Sequence, residues 1–508
     1  MLPVKKLSKT CALVIVLSLA VVSLLGPNLA LSATGPQPAA ATRVEHDSLG
    51  EKALPMNVYY GIQTARAVEN FPFNTHSLQH FPEFIVAYAY VKKAAALANY
   101  ELGILPKEKM DIIVQVSDEI IGGKLHDQFV VDMMQGGAGT STNMNMNEVI
   151  ANRGLEIMGH RKGEYKFLHP NDDVNLSQST NDNYPTAAKL AVLLVMRDTL
   201  KSVNDLKAAL ETKSEEFKDV IKMGRTEMQD AVPVTLGQEF GGFADTINEA
   251  MIQLGQARDA FYKVNLGGTA IGTGINSPPG YSKLSIKKLG ELTGFPFVVS
   301  KDLVGASSDG AGYIQMSGAM KRTGVAISKI CNDLRLMSSG PRAGFYEITL
   351  PAMQPGSSIM PGKVNPVIPE VVSSVVYQLA GIDTTVTMAA ELSSLELNPV
   401  EAVIVYNLLS GVNLLNRASS VLTRKCVVGI TANKERNATM VKNSIGLVTA
   451  LNPVLGYEKS AAVAKEALLT GRPVYDLVLE KGWLSKEKLD DMLKPENMTQ
   501  PREWPKLE

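Results

Sequence analysis

Two long apolar stretches constrain the fold of this chain more than any other feature of its sequence. Residues 371–390 carry one charge, Asp383, and residues 402–415 carry none. A helix that is apolar on nearly every side must also be buried on nearly every side. The Ser and Thr residues of the first stretch and its central Asp383 argue against a membrane span. We therefore expect a large helical bundle and, because such burial is easiest between subunits, a homo-oligomer.

The composition favours packed helices. The chain has 508 residues, a formal net charge of -1 and only 6% aromatic residues. Plentiful Ala, Leu and Met support helix formation. No basic excess points to nucleic acid. The length favours two to four domains, or one large core with appendages.

The N-terminus has the pattern of a secretory signal peptide. Lysines at positions 5, 6 and 9 precede an apolar run over residues 11–25. This run is shorter than the roughly 20 residues that a membrane span needs. We predict a signal peptide over residues 1–33, cleaved after Ala33, and a linker over residues 34–42. The protein would then be periplasmic or secreted; the alternative is a membrane anchor formed by an uncleaved signal.

Changes in composition divide the rest of the chain into three parts. We predict an N-terminal domain over residues 43–180, a central helical-bundle domain over residues 181–433 and a small C-terminal domain over residues 434–508. The last part is more charged, and prolines separate its short helical segments.

Local patterns predict several elements in the N-terminal half. Residues 83–101 and 107–121 are predicted to be helical, whereas residues 43–72 show no sustained period and are predicted to be extended or looped. A loop of small polar residues is expected over 136–147, with a helix beginning near Glu148.

A second polar loop is expected over residues 175–182. It leads to Pro185, which can occupy the first turn of a helix. The helical pattern then continues to about Phe217.

Cysteine and histidine patterns indicate neither a disulfide framework nor a zinc site. Of the three cysteines, Cys11 lies in the predicted signal peptide, and Cys331 and Cys426 are expected to be packed thiols. The six histidines show no paired ligand spacing.

Residues 356–366 contain the most concentrated set of candidate catalytic and binding side chains in the sequence. The run Gly-Ser-Ser-Ile-Met-Pro-Gly-Lys-Val-Asn-Pro places two hydroxyls, a cation and an amide between glycines and prolines. Such a run is unsuited to a helix or strand. It predicts a mobile loop that leads into a helix and grips a carboxylate while a hydroxyl carries a proton. The alternative is a glycine-rich connector with an incidental lysine.

Four segments share this character, with neutral hydroxyl or amide donors beside an expected helix start. They are residues 139–143, 177–182, 224–230 and 356–366. Helix N-termini present unpaired N–H groups and a partial positive charge, so converging donors make a carboxylate site. For any single segment, helix capping is the alternative.

The segment 356–366 matches the pattern Gly-Ser-Ser-x-Met-Pro-x-Lys-x-Asn in full, and on it the chain resembles the fumarase/aspartase superfamily. The likeness extends from residue 43 to the end of the chain and is greatest to the aspartase branch. The runs at 367–372, 387–391, 395–398 and 267–274 carry that choice. The resemblance implies a mainly α, three-domain fold whose central long-helix bundle associates into a tetrameric helical core.

The resemblance also implies an activity and the residues that perform it. The reaction would be the reversible deamination of L-aspartate to fumarate and ammonia, without a cofactor or metal, at sites shared between subunits of a homotetramer. Ser357 would be the general base at Cβ, its alkoxide stabilised by loop N–H groups. The resulting enediolate would receive hydrogen bonds from four residues: Thr140, Ser179, Thr180 and Ser358.

The remaining implied contacts hold the two ends of the substrate. Lys363 and Asn365 would bind the α-carboxylate, and Asn181 and Thr226 the amino group. Arg66 resembles a family arginine near the site; its alternative is a surface or interface salt bridge.

One position departs from the commonest family pattern, because Glu227 follows Gly-Arg-Thr where many members have His. In the family that His lies near the acidic residue that matches Glu370. Two carboxylates facing each other would disfavour double ionisation. We therefore expect Glu227 and Glu370 to share a proton or to bind an ammonium group. The alternative is a salt bridge from Glu227 to Arg225 or to a neighbouring subunit.

Two other functions are compatible with the resemblance. One is fumarate hydration to L-malate, against which the run 367–370 and Glu227 argue. The other is a non-catalytic scaffold, against which the intact Ser357, Lys363 and Asn365 argue.

Overall fold

The N-terminal part is a group of helices that follows a β-hairpin. The computed structural model describes residues 41–74 and 76–501. Antiparallel strands β1 (Thr42–Asp47) and β2 (Gly50–Pro55) precede four helices: α1 (Ile62–Asn70), α2 (Pro82–Glu101), α3 (Lys107–Ile121) and α4 (Thr140–Ile157). The helices predicted over 83–101 and 107–121 are confirmed. The predicted signal peptide, its cleavage site and most of the linker lie outside the described residues.

The prediction of an extended or looped segment over residues 43–72 is wrong for α1. The N–H groups of Gly61, Gln63 and Thr64 donate to Glu148, at 2.8, 2.8 and 3.1 Å. The N–H group of Ile62 donates to Glu45 at 3.0 Å. Unpaired N–H groups make a helix start costly, and here carboxylates distant in sequence satisfy them. A local reading of the sequence cannot see such partners.

Helix α4 also begins earlier than predicted, at Thr140 instead of near Glu148. Gly139 precedes it at φ 86°, and a Cβ atom there would lie 2.3 Å from the Tyr184 ring. Asn and Thr are weak helix formers, but buried contacts hold this first turn. The N–H and hydroxyl groups of Thr142, for example, both donate to Gln135 Oε1 at 3.1 Å.

Five long helices form the centre of the molecule. After α4 the chain contains α5 (Thr180–Glu216), the antiparallel hairpin of β3 (Ile221–Thr226) and β4 (Gln229–Thr235), α6 (Leu236–Asp259), β5 (Lys263–Val264), α7 (Tyr281–Thr293), β6 (Val298–Val299), α8 (Leu303–Ala306), α9 (Ala311–Met337), β7 (Ile348–Thr349), α10 (Val367–Glu391), α11 (Glu401–Lys425) and β8 (Thr431–Ala432). Helices α5, α6, α9, α10 and α11 pack together as a bundle. The mainly helical fold with a central long-helix bundle is therefore confirmed.

The two apolar stretches lie on α10 and α11, and their burial differs. Residues 402–415 contain no exposed position. Helix α10 buries one face against the bundle, but Val371, Tyr377 and Met388 are 50%, 69% and 62% exposed. A single chain therefore leaves part of α10 uncovered, where these three apolar side chains lie among exposed Ser, Thr and Gln residues. Across the described residues, no helix is long and apolar enough to cross a membrane.

Five short helices end the described chain: α12 (Lys434–Asn443), α13 (Val448–Leu455), α14 (Tyr457–Thr470), α15 (Val474–Glu480) and α16 (Lys486–Met492), followed by the single turn α17 (Pro495–Met498). Helices α13 to α16 pack around a hydrophobic cluster of their own, which includes Leu451, Val463, Leu477 and Leu489. Helix α12 instead packs against β3, where Val441 contacts Met223. Cys331 and Cys426 are buried free thiols in the main core, as expected.

Candidate active site

The N-termini of α4 and α5 lie side by side and present hydroxyl groups. Thr140 is the first residue of α4, and Ser179 caps α5, whose first residue is Thr180. The Asn143 amide donates a hydrogen bond of 3.1 Å to Thr180 Oγ1, which ties the two helix ends together. Because both helix starts carry a partial positive charge, this surface suits a carboxylate.

The predicted first-turn position of Pro185 is wrong, because α5 begins at Thr180 and Pro185 lies within it.

Asp182 organises the loop that faces this pair of helix ends. It is fully buried and accepts hydrogen bonds from the Gly267 and Thr269 N–H groups at 2.8 and 2.9 Å. Burial raises the pKa of its carboxyl to about 6, although these backbone hydrogen bonds lower it. Asn181 Nδ2 donates to Ala270 O at 2.8 Å. Its Oδ1 accepts no hydrogen bond from the described residues, so it is available to a donor such as an ammonium group.

The segment 224–230 is a hairpin turn, so the prediction of an adjacent helix start is wrong here. Glu227 and Met228 form the tip of the β3–β4 hairpin at φ 51° and 66°. Positive φ at both central residues is the conformation of the tightest hairpin turns. Thr226 and Glu227 are exposed at this tip.

A buried ion-pair cluster holds the base of the same hairpin. Glu347 is 0% exposed and lies 2.6 Å from Arg225 Nη1 and 3.0 Å from Lys222 Nζ. Lys222 also pairs with Glu239 at 2.5 Å. Arg225 thus binds Glu347. Within the described chain, Glu227 forms no ion pair with Arg225 and no hydrogen bond with Glu370.

The loop 356–366 is closed by its own hydrogen bonds and leads directly into α10, as predicted. Gly356 N donates to Lys363 O at 2.8 Å, and Asn365 Nδ2 donates to Gly356 O at 2.8 Å. Ser357 Oγ accepts hydrogen bonds from the N–H groups of Ile359 and Met360 at 3.2 and 3.0 Å. Two such donors stabilise negative charge on the Ser357 oxygen.

The cationic and hydroxyl groups of this loop point away from the chain. Lys363 and Ser358 are exposed. The Lys363 ammonium forms no hydrogen bond or ion pair with any described residue, so it is free to bind an anion.

Arg66 is engaged in the salt bridge that was its alternative role. Its guanidinium donates to Asp47 at 2.8 and 3.0 Å, and to Gly50 O at 3.1 Å. The hydrogen bond from Arg66 lowers the pKa of Asp47. Arg66 therefore ties α1 to the β1–β2 hairpin.

Apart from Arg66, which lies on α1 and pairs with Asp47, the sequence-predicted residues form three separate groups in one chain. The first is at the starts of α4 and α5, the second at the hairpin tip, and the third in the loop 356–366. No hydrogen bond or ion pair between described residues joins the loop to either of the other two groups. Within one chain the site is therefore not assembled by direct contacts.

Lys92, on α2, is the polar residue near the helix starts that sequence reasoning missed. It is fully buried, and its ammonium donates to the side chains of Asn143, Asn175 and Gln178. Burial holds the pKa of Lys92 well below its usual range, whereas the charge of Asp182 raises it. Lys93 is its sequence neighbour but pairs with Asp118. The two lysines differ in the face of α2 on which they lie: Lys92 faces the start of α4, and Lys93 faces α3.

The described residues contain no group of three His, Cys, Asp or Glu side chains placed to hold a metal ion.

The sequence profile of the family described as Lyase matches residues 50–381, and the profile described as Fumarase C C-terminus matches residues 447–500.

Two relatives match almost the full length of the described chain. A protein from Helicobacter pylori named aspartate ammonia-lyase is 55% identical over 464 residues, which are 91% of this chain and 99% of that protein. A protein of the same name from Escherichia coli (strain K12) is 51% identical over 460 residues, with coverages of 90% and 96%.

Solved structures share the fold. A fumarate lyase:delta crystallin structure from Brucella melitensis superposes with a TM-score of 0.89 at 54% identity, covering 91% of this chain and all of that one. A class II fumarase from Schistosoma mansoni has a TM-score of 0.87 at 35% identity, with coverages of 91% and 100%.

Proposed function

The chain belongs to the Lyase family, and from that premise we propose that it is a carbon–nitrogen lyase that interconverts L-aspartate with fumarate and ammonia. The observation that carries this choice is its 51–55% identity, over about 90% of the chain, to relatives named aspartate ammonia-lyase. The structure of the serine loop supports the chemistry that such a reaction needs.

The first step removes a proton from Cβ of L-aspartate, and Ser357 is the base. A serine hydroxyl is a very weak acid, so it acts as a base only when its alkoxide is stabilised. The N–H groups of Ile359 and Met360 already point at Ser357 Oγ. Lys363, six positions along the same loop, adds a positive charge that is not paired with any described residue.

Loss of the Cβ proton produces a dianionic enediolate at the adjacent carboxylate. Hydroxyl donors at the starts of α4 and α5, together with Ser358, supply hydrogen bonds that strengthen as this charge develops. The hydroxyls at the helix starts are those of Thr140, Ser179 and Thr180. Thr140 Oγ1 donates to Gly137 O at 2.8 Å in this structure and exchanges that bond for the substrate. The dianion then collapses: the Cα–N bond breaks, its electron pair leaves with nitrogen as ammonia, and fumarate remains.

The two ends of the substrate have different partners. Lys363 and Asn365 hold the α-carboxylate, and Asn181 and Thr226 hold the amino group. The free Oδ1 of Asn181 supports this assignment, because its Nδ2 is already bound to Ala270 O. The reaction requires no redox or phosphoryl transfer, so the mechanism uses no organic cofactor.

We also propose that the site is completed by association into a homotetramer. The three groups of site residues are separate in one chain, and α10 leaves Val371, Tyr377 and Met388 exposed. Association through this part of α10 buries these three side chains and brings groups from different chains together. Native mass spectrometry should give four chains; an active monomer would overturn this assembly.

Ultraviolet detection of fumarate tests the proposed reaction directly. The purified protein should form fumarate from L-aspartate and much less from L-malate. A preference for L-malate would make it a fumarate hydratase, the activity suggested by its likeness to the class II fumarase. Activity on neither substrate would leave a non-catalytic scaffold.

Replacement of Glu227 with Gln tests the amino-group end of the site. The Glu227 carboxylate is expected to accept a hydrogen bond from the ammonium group of the substrate. Because the Gln amide forms only a weaker, uncharged bond there, we expect kcat/KM for L-aspartate to fall about tenfold or more. Glu458→Gln, an exposed change on α14, is the control and should leave kcat/KM unchanged. An unchanged value for Glu227→Gln would remove this residue from the mechanism.

Export is the remaining proposal, and it rests on the pattern of residues 1–33. Cell fractionation with N-terminal sequencing should recover a mature chain that begins after Ala33 outside the cytoplasm. Recovery of an unprocessed cytoplasmic form would overturn it.

A further inference from the structure

Lys92 is a buried cation whose hydrogen bonds all go to amide oxygens. Its Nζ atom donates to Asn143 Oδ1 at 2.7 Å, and to Asn175 Oδ1 and Gln178 Oε1 at 2.9 Å each. An ammonium group has three N–H donors and no acceptor, so these bonds use its full capacity. No ion pair joins Lys92 to a carboxylate within the described residues. The buried ammonium group is therefore surrounded by amide dipoles, and its charge can orient them.

The bond from Lys92 determines which way the Asn143 amide faces. Because Lys92 can only donate, the Asn143 oxygen must face it, and the amide nitrogen must face the opposite side. There Nδ2 donates to Thr180 Oγ1 at 3.1 Å and to Asn175 Oδ1 at 3.1 Å. The order of donors and acceptors from Lys92 to Thr180 is thereby fixed.

Thr180 occupies the end of this chain of hydrogen bonds. Its oxygen accepts from Asn143, and its own proton has no acceptor among the residues that the structure describes. The residue is only 8% exposed and lies at the start of α5, beside Ser179. Its O–H group is consequently a donor that no described residue accepts from, at the surface that suits a carboxylate.

We infer that Lys92 is a positioning residue that acts through Asn143 to aim the Thr180 hydroxyl at the substrate carboxylate. This inference rests on the proposed function, in which Thr180 donates to the dianionic intermediate. A donor that is oriented before the charge develops needs no reorganisation during the reaction. If the Asn143 amide turned over, its oxygen would instead accept the Thr180 proton and remove that donor from the site.

Asn143→Asp tests the direction of this hydrogen-bond chain with almost no change of shape. One carboxylate oxygen still accepts from Lys92, as an ion pair, while the other takes the Thr180 proton. We expect kcat for L-aspartate to fall about 10- to 100-fold, because one donor to the developing charge is lost. The melting temperature should fall only slightly, because the new ion pair with Lys92 offsets the lost hydrogen bond from Asn143 Nδ2 to Asn175 Oδ1.

A double-mutant cycle separates this effect from a general disturbance of the site. Thr180→Val alone should lower kcat by a similar factor. Asn143→Asp added to Thr180→Val should then change kcat by less than about threefold, because residues that act through one another are not additive. Losses that multiply in the double variant would overturn the inference, because Asn143 would then act independently of Thr180.

A second asparagine on the same helix provides the matched control. Asn145 is also buried, but it bonds to the backbone of residues 128 and 130 and not to Thr180. Asn145→Asp should lower the melting temperature and leave kcat unchanged. An equal loss of kcat in both variants would mean that any buried carboxylate on α4 disturbs the site, which also overturns the inference.

Lys92→Met provides an independent route if Asn143→Asp does not fold. It removes the donor that orients Asn143, and its effect on kcat should again disappear in the Thr180→Val background. The two proposals fail differently. Absence of fumarate from L-aspartate with the unmodified protein refutes the proposed function, whereas full activity of a folded Asn143→Asp or Lys92→Met variant refutes only the role of Lys92.

Discussion

Replacing Ser357 with alanine should lower kcat for L-aspartate by about 10³-fold, within the range of 10²–10⁴ that general-base catalysis supplies. The substitution removes the only atom that receives the Cβ proton. Because Ser357 lies on a loop outside the hydrophobic core, the fold should be unchanged. The initial rate of fumarate formation, with circular dichroism of both proteins, measures the two effects separately.

Ser358→Ala is the matched control for this prediction, since it removes a hydroxyl from the adjacent position of the same loop. Its hydroxyl is assigned a hydrogen bond to the enediolate and no proton transfer. We expect a loss of about 10- to 100-fold, the contribution of one hydrogen bond to a charged group. If Ser357→Ala kept kcat within threefold of the unmodified enzyme, Ser357 could not be the base.

Replacing Glu347 with glutamine should produce the largest loss of stability. Glu347 is 0% exposed and pairs with both Lys222 and Arg225. Removing its charge leaves Lys222 with the half-buried Glu239 at 2.5 Å and Arg225 with the exposed Asp230 at 4.0 Å. Breaking a buried ion pair from one side costs about 3–5 kcal/mol in the free energy of unfolding. Urea denaturation at matched protein concentration measures this difference.

Asp205→Asn provides the contrast, because it breaks an exposed ion pair with Lys201 on α5. Exposed pairs contribute little, so its denaturation midpoint should not move measurably. A Glu347→Gln midpoint equally unchanged would show that the cluster does not anchor the hairpin. The hairpin carries Thr226, so we also expect Glu347→Gln to raise KM for L-aspartate at temperatures where the chain remains folded.

Long periodic helices could be predicted from the sequence, whereas elements held by distant partners could not. The apolar residues of segments 83–101 and 107–121 recur regularly enough for both segments to be recognised as helices from the sequence alone. Helix α1 depends on Glu148 and Glu45 for its first turn, so no local pattern announces it. The turn at Glu227 has positive φ values that this residue type rarely adopts, and the ladder of β3 and β4 imposes them.

The site shows the same division between local and distant information. The loop 356–366 could be predicted because its glycines, prolines and polar groups are contiguous. The role of Lys92 could not be predicted, because it depends on hydrogen bonds to Asn143, Asn175 and Gln178. These residues become its neighbours only when α2, α4 and the segment before α5 pack together. The salt bridge of Arg66 with Asp47 likewise shows that a family resemblance alone does not reveal what a side chain contacts.

The capping of α1 by Glu148 sets an order of events during synthesis. A helix of 9 residues is too short to persist by itself in water, and the N–H groups of its first turn find most of their partners more than 80 positions later in the chain. A nascent chain emerges from its N-terminus first. Helix α1 therefore gains most partners of its first turn only after the ribosome has passed residue 148, so it folds together with α4 and not when its own residues emerge.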